Sequence, residues 1–306
     1  MSVIRDVSKY LSFSIETVWT IADKAPHNYR RYKIRKRNGG YRIIHHPAKE
    51  TKAIQYALIN LIFGNYPIHK SAFAYKRGLH SPLKSNAEIH SKYKFTIRID
   101  FKDFFHSIKY EDLENILHKP FSVEEKEFLR CILFLKIHGN YCLTIGSPSS
   151  PLLSNIIMFE YDNQISQLVN SIDSNATYTR YADDIAFSSN NKSNCIDFGK
   201  QLNELTNKIV SPDLTINTRK TIMLTKANRK IITGLIITPE GKISIGRKNK
   251  KYVKKLLNDL RYDKISPDNY KYLKGYLSFI SDVEPHFINS VATKYGAELL
   301  NRVIKN

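Results

Sequence analysis

Two adjacent aspartates, Asp183 and Asp184, interrupt an otherwise apolar stretch that reads as strand, turn, strand: Tyr178 to Tyr181, Ala182-Asp183, then Asp184 to Ser188. Aspartate is common in turns for a plain reason, since it tolerates turn geometry and caps neighbouring amides. Two of them side by side between apolar strands is a different matter, because adjacent negative charges there cost free energy unless a cation compensates. A third carboxylate follows the same logic. From Lys94 to Asp100 the residues alternate, with Phe95, Ile97 and Ile99 on one face and Thr96, Arg98 and Asp100 on the other. That is a half-buried strand ending on Asp100. Carboxylates from neighbouring strands are the ligands suited to hard cations, and phosphoryl transfer on nucleotides needs such cations to stabilise both the attacking oxygen and the leaving pyrophosphate.

The charge balance points to the same class of partner. Among 306 residues, 48 Lys and Arg stand against 28 Asp and Glu, a formal net charge of +20 that attracts polyanions and favours nucleic acid first and an anionic membrane second. The basic residues cluster, nine between Arg30 and Lys52 against Glu50 alone, and fourteen between Arg219 and Lys264 against Glu240, Asp259 and Asp263. Such runs read as positive walls of a cleft, or more plainly as a solvated basic surface. No apolar stretch reaches the length of a membrane span and MSVIRDVSKY lacks the apolar segment of a signal peptide, so a cytoplasmic protein without membrane contact is expected. Cys131, Cys142 and Cys195 form no Cys-x-x-Cys pair, which argues against a zinc site or a disulfide framework.

The remaining pattern predicts an α+β layout, with helices backing an antiparallel sheet that carries the aspartates. Lys33 to Arg35, Asn38-Gly39-Gly40 and Tyr41 to His45 read as a basic hairpin, followed by a helix from Lys52 to Phe63. Ser122 and Glu125 form a capping-box pattern ahead of an apolar helix through Phe128, Ile132 and Leu135, stopped at Gly139. Helices are expected over Pro151 to Leu168 and Asn194 to Ile209, and strands around Leu214 to Ile216, Thr221 to Leu224 and Ile231 to Ile237. Beyond Arg247 the pattern is helical and basic, with a boundary near Gly246.

Thr179-Arg180-Tyr181-Ala182-Asp183-Asp184 and Asp100-Phe101-Lys102-Asp103-Phe104-Phe105 resemble the active-site motifs of reverse transcriptases. The resemblance implies a right-hand polymerase, with fingers and N-terminal helices over 1–95, a palm over 96–246 and a helical, basic, RNA-binding thumb over 247–306. It makes Asp100, Asp183 and Asp184 the ligands of two Mg²⁺ ions and the catalytic residues. Phe105 falls where the family places an aromatic gate against the sugar 2′-hydroxyl; the plainer reading is a core aromatic. Gly146-Ser147-Pro148-Ser149-Ser150-Pro151 with Asn155 is similar to the segment beside the incoming dNTP, although Ile145 stands where glutamine is usual. Arg42 matches the fingers residue that holds the triphosphate, with Lys33 or Arg35 assisting, and Lys220 matches a palm lysine near the departing pyrophosphate.

Asn86-Ala87-Glu88-Ile89-His90, Ile232-Thr233-Gly234 and Gly275-Tyr276-Leu277-Ser278-Phe279 resemble elements of the retron branch. That branch implies a cognate noncoding RNA, copied from the 2′-hydroxyl of an internal guanosine into branched RNA-DNA (msDNA), antiphage defence, and a separately encoded effector partner. RNA contacts would come from Asn86, His90, Thr233, Gly234, Lys248, Lys250, Lys251, Lys254, Lys255 and Arg261, though Asn86 and His90 could merely cap a helix and Thr233-Gly234 mark a bulge. Two other readings compete: a group II intron or diversity-generating enzyme, and a catalytically idle RNA-binding scaffold with the same fold.

Overall fold

A computed structural model describes residues 2–36, 39–76, 78–117, 120–227 and 229–305. The chain opens with helices α1 (Val3–Leu11) and α2 (Ile15–Lys24), then the hairpin β1 (Tyr29–Arg35) and β2 (Tyr41–Pro47), helix α3 (Lys49–Leu61) and helix α4 (Pro82–Ile89). Strand β3 (Phe95–Asp100) leads into short helices α5 (Phe104–Ser107) and α6 (Tyr110–Glu114), helix α7 (Val123–Leu133) and the small hairpin β4 (Leu135–Ile137) with β5 (Asn140–Cys142). Helices α8 (Ser150–Ile157) and α9 (Phe159–Ile172) precede β6 (Thr177–Tyr181), β7 (Asp184–Ser189), helix α10 (Lys192–Lys208) and β8 (Ile222–Thr225). Strands β9 (Lys230–Ile232), β10 (Leu235–Ile237) and β11 (Ile243–Ser244) then pass into helices α11 (Arg247–Arg261), α12 (Pro267–Val283), α13 (Pro285–Tyr295) and α14 (Ala297–Lys305).

The central sheet is antiparallel with strand order β6-β7-β3-β8. Its alternation gives it two unlike faces. Ile97, Ile99, Ile185 and Phe187 turn toward α9 and α10 and join the main core, where Phe187 stacks on Phe198 of α10 at 4.3 Å. Thr96, Arg98 and Asp100 point the other way with their register partners Ser188, Ala186 and Asp184. At one end of that polar face α4 closes over it, and at the other it is open. A second core joins β9 to β11 with α4 and the C-terminal helices, through residues such as Leu235, Leu256, Leu277 and Val291.

Four expectations are corrected. Leu135 starts a strand instead of ending a helix, because α7 stops at Leu133 and a tight turn at His138-Gly139, both with positive φ, folds β5 back on β4. The helix expected over Pro151 to Leu168 is two helices that meet at Met158. The run Ile231 to Ile237 is a hairpin whose turn is Thr233-Gly234, φ +48 and +80, so those residues are neither mid-strand nor a bulge. Around Leu214 to Ile216 there is a single bridge, Phe101 to Ile216, and no strand. The basic hairpin forms as expected, but Asn38 of its turn lies outside the described residues. Among the described residues no helix is long and apolar enough to cross a membrane. Cys131, Cys142 and Cys195 are free.

Candidate active site

Asp100 and Asp184 are direct register partners across the β3–β7 ladder, and Asp183 sits in the two-residue turn between β6 and β7. Ala182, the first residue of that turn, takes φ +57, and the Asp183 carbonyl accepts the Phe101 N–H at 3.1 Å. Tight hairpin turns of this kind require left-handed backbone. The three carboxylates therefore gather at the open end of the polar sheet face. Asp183 and Asp184 border a cleft of about 1080 Å³ whose lining also includes Arg42, Tyr75, Phe105 and Thr233, and Asp100 lies behind them on the ladder.

Gathering them has an electrostatic cost. Burial first, and the neighbouring Asp100 second, hold the Asp183 carboxyl above the usual carboxylate range. Asp184 is pushed up to about 6 by burial and then by Asp183, with Arg98 partly offsetting. Asp100, 7% exposed, is neutralised differently: Lys220 Nζ donates to both of its oxygens at 2.8 and 2.9 Å, and Asn217 Nδ2 adds a longer contact at 3.3 Å. Among the described residues no three His, Cys, Asp or Glu side chains yet converge as a coordination sphere. The donor set nonetheless suits a hard divalent cation, being all carboxylate oxygen, held on a rigid ladder and burdened by mutual repulsion that such a cation relieves.

The turn is fixed from behind by a buried ion pair. Arg180 is fully buried on the helix-covered face, where its guanidinium donates to Asp162 of α9 at 2.6, 2.8 and 3.1 Å. Its remaining donor capacity reaches the Asn155 Oδ1 at 3.2 Å and the Ala182 carbonyl at 3.3 Å, and Tyr178 Oη also donates to Asp162. A buried guanidinium is costly unless satisfied in this way. Asn155 in turn donates to the Ala74 carbonyl at 2.8 Å, so one network ties α8, α9, the Ala182-Asp183 turn and the segment before Tyr75.

Other expected site residues divide clearly. Arg42 is exposed on β2 and lines the cleft, as does the partly buried Phe105. Gly146, at φ +121, lies where an added Cβ would stand 2.5 Å from the His45 carbonyl, and the His45 N–H donates to the Ile145 carbonyl at 2.8 Å. That close approach fastens the Gly146 segment to the basic hairpin and explains why glycine is needed there. Lys220 is on Asp100, where it serves as a counter-charge.

Direct RNA contact by Asn86 and His90 is corrected by burial, at 2% and 0% exposure. His90 bonds Ser188 Oγ at 2.8 Å and Thr179 Oγ1 at 2.7 Å, and burial drives its pKa down to about 3. His90 thereby anchors the C-terminal end of α4 over the closed end of the sheet. Thr233 donates its hydroxyl to the Leu83 carbonyl of α4 at 3.0 Å, so α4 presents the Thr233-Gly234 turn to the cleft. Lys248, Lys251, Lys255 and Arg261 are exposed on α11, whereas Lys250 pairs with Glu284 and Lys254 lies 5.8 Å over the Phe287 ring. These two are half-buried and engaged within the protein. Beside the exposed lysines runs a ladder of rings, Tyr252, Tyr272, Tyr276 and Phe279, with successive centroids 5.7, 5.3 and 5.8 Å apart. Tyr75 and Asp162 carry no motif signal and were not expected at the site.

Comparison with known proteins agrees with this geometry. A family model described as reverse transcriptase (RNA-dependent DNA polymerase) matches residues 34–273. The chain is 35% identical to the retron Ec73 reverse transcriptase of Escherichia coli, covering 90% of each chain. It is 31% identical to the retron Ec83 reverse transcriptase of the same organism, covering 91% of this chain and 90% of the other. Among solved structures, apo telomerase from Candida tropicalis superposes with a TM-score of 0.51 at 14% identity, covering 90% of this chain and 60% of that one. The complex of telomerase from the same organism with a fragment of telomeric RNA also gives 0.51, at 12% identity, covering 92% and 58%. The chain thus spans about three fifths of those telomerase chains, and the likeness concerns the polymerase fold alone.

Proposed function

Because the chain belongs to the reverse-transcriptase family and is an RNA-directed DNA polymerase of the retron type, we propose that it copies part of a cognate noncoding RNA into branched RNA-DNA, starting from an internal guanosine 2′-hydroxyl. Membership of the family implies a polymerase that depends on divalent metal. The observation that carries the site assignment is the Asp100–Asp184 register pair, with Asp183 in the adjoining turn, at the mouth of a cleft that also holds Arg42 and Phe105.

In this reading Asp100, Asp183 and Asp184 would hold two Mg²⁺ ions, whose chemistry is to stabilise the attacking oxygen and the departing pyrophosphate. The residues around them do the positioning. Arg42, exposed on the cleft wall, attracts the triphosphate. Phe105 packs against the sugar and leaves no room for a 2′-hydroxyl. The Gly146 segment, fixed to β2, carries the wall beside the base. Lys220 compensates Asp100 and stands close enough to the carboxylates to transfer a proton to pyrophosphate.

For the RNA, the exposed Lys248, Lys251, Lys255 and Arg261 supply phosphate contacts, and the Tyr252–Phe279 ladder supplies ring faces for unpaired bases. We read 247–306 with β9–β11 as the thumb lobe, since they share one core. A cytoplasmic location, a role in antiphage defence and a separately encoded effector belong to the same proposal, by similarity to the retron branch.

The test is to express the protein with its neighbouring noncoding region, purify it, and treat the bound nucleic acid with RNase, DNase and debranching enzyme. DNA joined to RNA by a debranchable 2′-linkage is the expected result. Bound RNA without DNA, despite magnesium and dNTPs, would instead support the idle scaffold.

A further inference from the structure

Tyr75 is strained and exposed at once. Its backbone stands at φ +61, in the left-handed region that an aromatic residue rarely adopts, yet its side chain is 44% exposed, so burial in the core does not offset the strain. The conformation is imposed by its neighbours. Arg180 N–H donates to the Ser71 carbonyl at 2.7 Å, Phe73 N–H to the Arg180 carbonyl at 2.9 Å, and Asn155 Nδ2 to the Ala74 carbonyl at 2.8 Å. Residues 71–74 are thereby fastened to the strand entering the catalytic turn and to α8, and the chain then turns so that Tyr75 lines the cleft beside Arg42, Phe105 and Asp183. Its ring centroid lies 6.3 Å from that of Phe105, tilted by 44°, while Phe104 packs on Phe105 at 5.5 Å and 60°. Phe105 is held between two rings, of which Phe104 is core and Tyr75 belongs to the cleft.

We propose that Tyr75 is a specificity-determining residue, the second ring of the sugar pocket whose first ring is Phe105, so that rejection of a ribose 2′-hydroxyl depends on both. The inference rests on the reading of Phe105 as a sugar gate. Strain held in place by its surroundings collects at ligand-facing positions. The faces of two tilted rings present carbon to a deoxyribose and no partner to an extra hydroxyl packed against them, which would lose its water without replacement. The Tyr75 ring also limits where the Phe105 ring can turn, so the two act as one unit and their effects do not add.

The experiment measures kcat/KM for a dNTP and the matching rNTP opposite one template base. It compares wild type, Tyr75→Phe, Tyr75→Gly, Phe105→Ala and the Tyr75→Gly/Phe105→Ala double variant. Glycine suits the left-handed backbone, so Tyr75→Gly removes the ring without adding strain. The dNTP preference is expected to survive Tyr75→Phe, to fall about tenfold in Tyr75→Gly, and to fall no further in the double variant than in Phe105→Ala. An unchanged preference in Tyr75→Gly with a relaxed one in Phe105→Ala overturns the proposal and leaves the gate standing. Unchanged preference in both variants overturns the proposal together with the gate beneath it.

Discussion

Lys220 Nζ grips both carboxylate oxygens of Asp100, at 2.8 and 2.9 Å, while burial and a neighbouring carboxylate hold Asp183 and Asp184 above the usual carboxylate range. One carboxylate of the three is therefore directly paired within the chain, and the other two are offset only in part by cations at longer range, Arg42 and Lys220 for Asp183 and Arg98 and Lys220 for Asp184. The ammonium occupies oxygens that a metal ion would also use.

Replacing Lys220 by Met should therefore change the magnesium dependence of DNA synthesis. The magnesium concentration for half-maximal rate is expected to fall by up to roughly fivefold, the equivalent of about 1 kcal/mol for a partly exposed ion pair. If Lys220 also hands a proton to pyrophosphate, kcat falls in the same variant. A magnesium titration at saturating dNTP separates the two effects, and an unchanged half-saturation point would remove Lys220 from competition with the metal.

The buried Asp162–Arg180 pair gives a second prediction. Asp162→Ala leaves a guanidinium buried without its partner and should cost about 3–5 kcal/mol of stability, read as a lower denaturant midpoint. Replacing both residues by apolar ones, Asp162→Leu with Arg180→Met, should restore much of that stability. Polymerisation should stay impaired, because the Ala182 carbonyl and Asn155 lose their shared donor. Recovery of full activity along with stability would reduce the pair to a structural role.

His90 predicts a pH dependence of folding. In the unfolded chain its imidazole takes a proton near the ordinary value of about 6.5, whereas burial holds the folded one down to about 3. Between those values the unfolded state binds more protons, so stability is full above pH 6.5 and is lost as pH falls toward 3, by about 1.4 kcal/mol per pH unit. Denaturation midpoints at pH 7.5, 6 and 5 should show this slope, and His90→Gln should flatten it.

Gly146→Ala places a methyl group 2.5 Å from the His45 carbonyl at a φ of +121. A loss of about 1–3 kcal/mol is expected, with a raised KM for dNTP because the segment beside the nucleotide shifts. Unchanged KM would separate this glycine from substrate binding.

The parts of the fold that were legible were those where the side-chain pattern alone fixes the structure. Alternation from Phe95 to Asp100 and across Tyr178 to Ser188 identified the sheet and its carboxylates, because one apolar face had to be buried. The β4–β5 hairpin was hidden because Leu135 continues the helical spacing of Phe128 and Ile132, and only the backbone turn at His138-Gly139 shows the reversal. Ile231 to Ile237 read as one strand because a two-residue turn leaves the apolar run almost unbroken. Asn86 and His90 stand as RNA contacts only through the resemblance of their segment to the retron element, which carries no burial signal, whereas Ser188 and Thr179 satisfy His90 inside the protein. Tyr75 could not be read at all, since nothing in its side chain announces a left-handed backbone.

The most direct test of the catalytic account is primer extension on an RNA template by the Asp183→Asn/Asp184→Asn double variant, with RNA binding measured in parallel. The account predicts that DNA synthesis is abolished while RNA affinity stays close to wild type, because the basic surface of α11 is untouched. Undiminished synthesis by that variant would contradict the assignment of these carboxylates as the centre of the reaction.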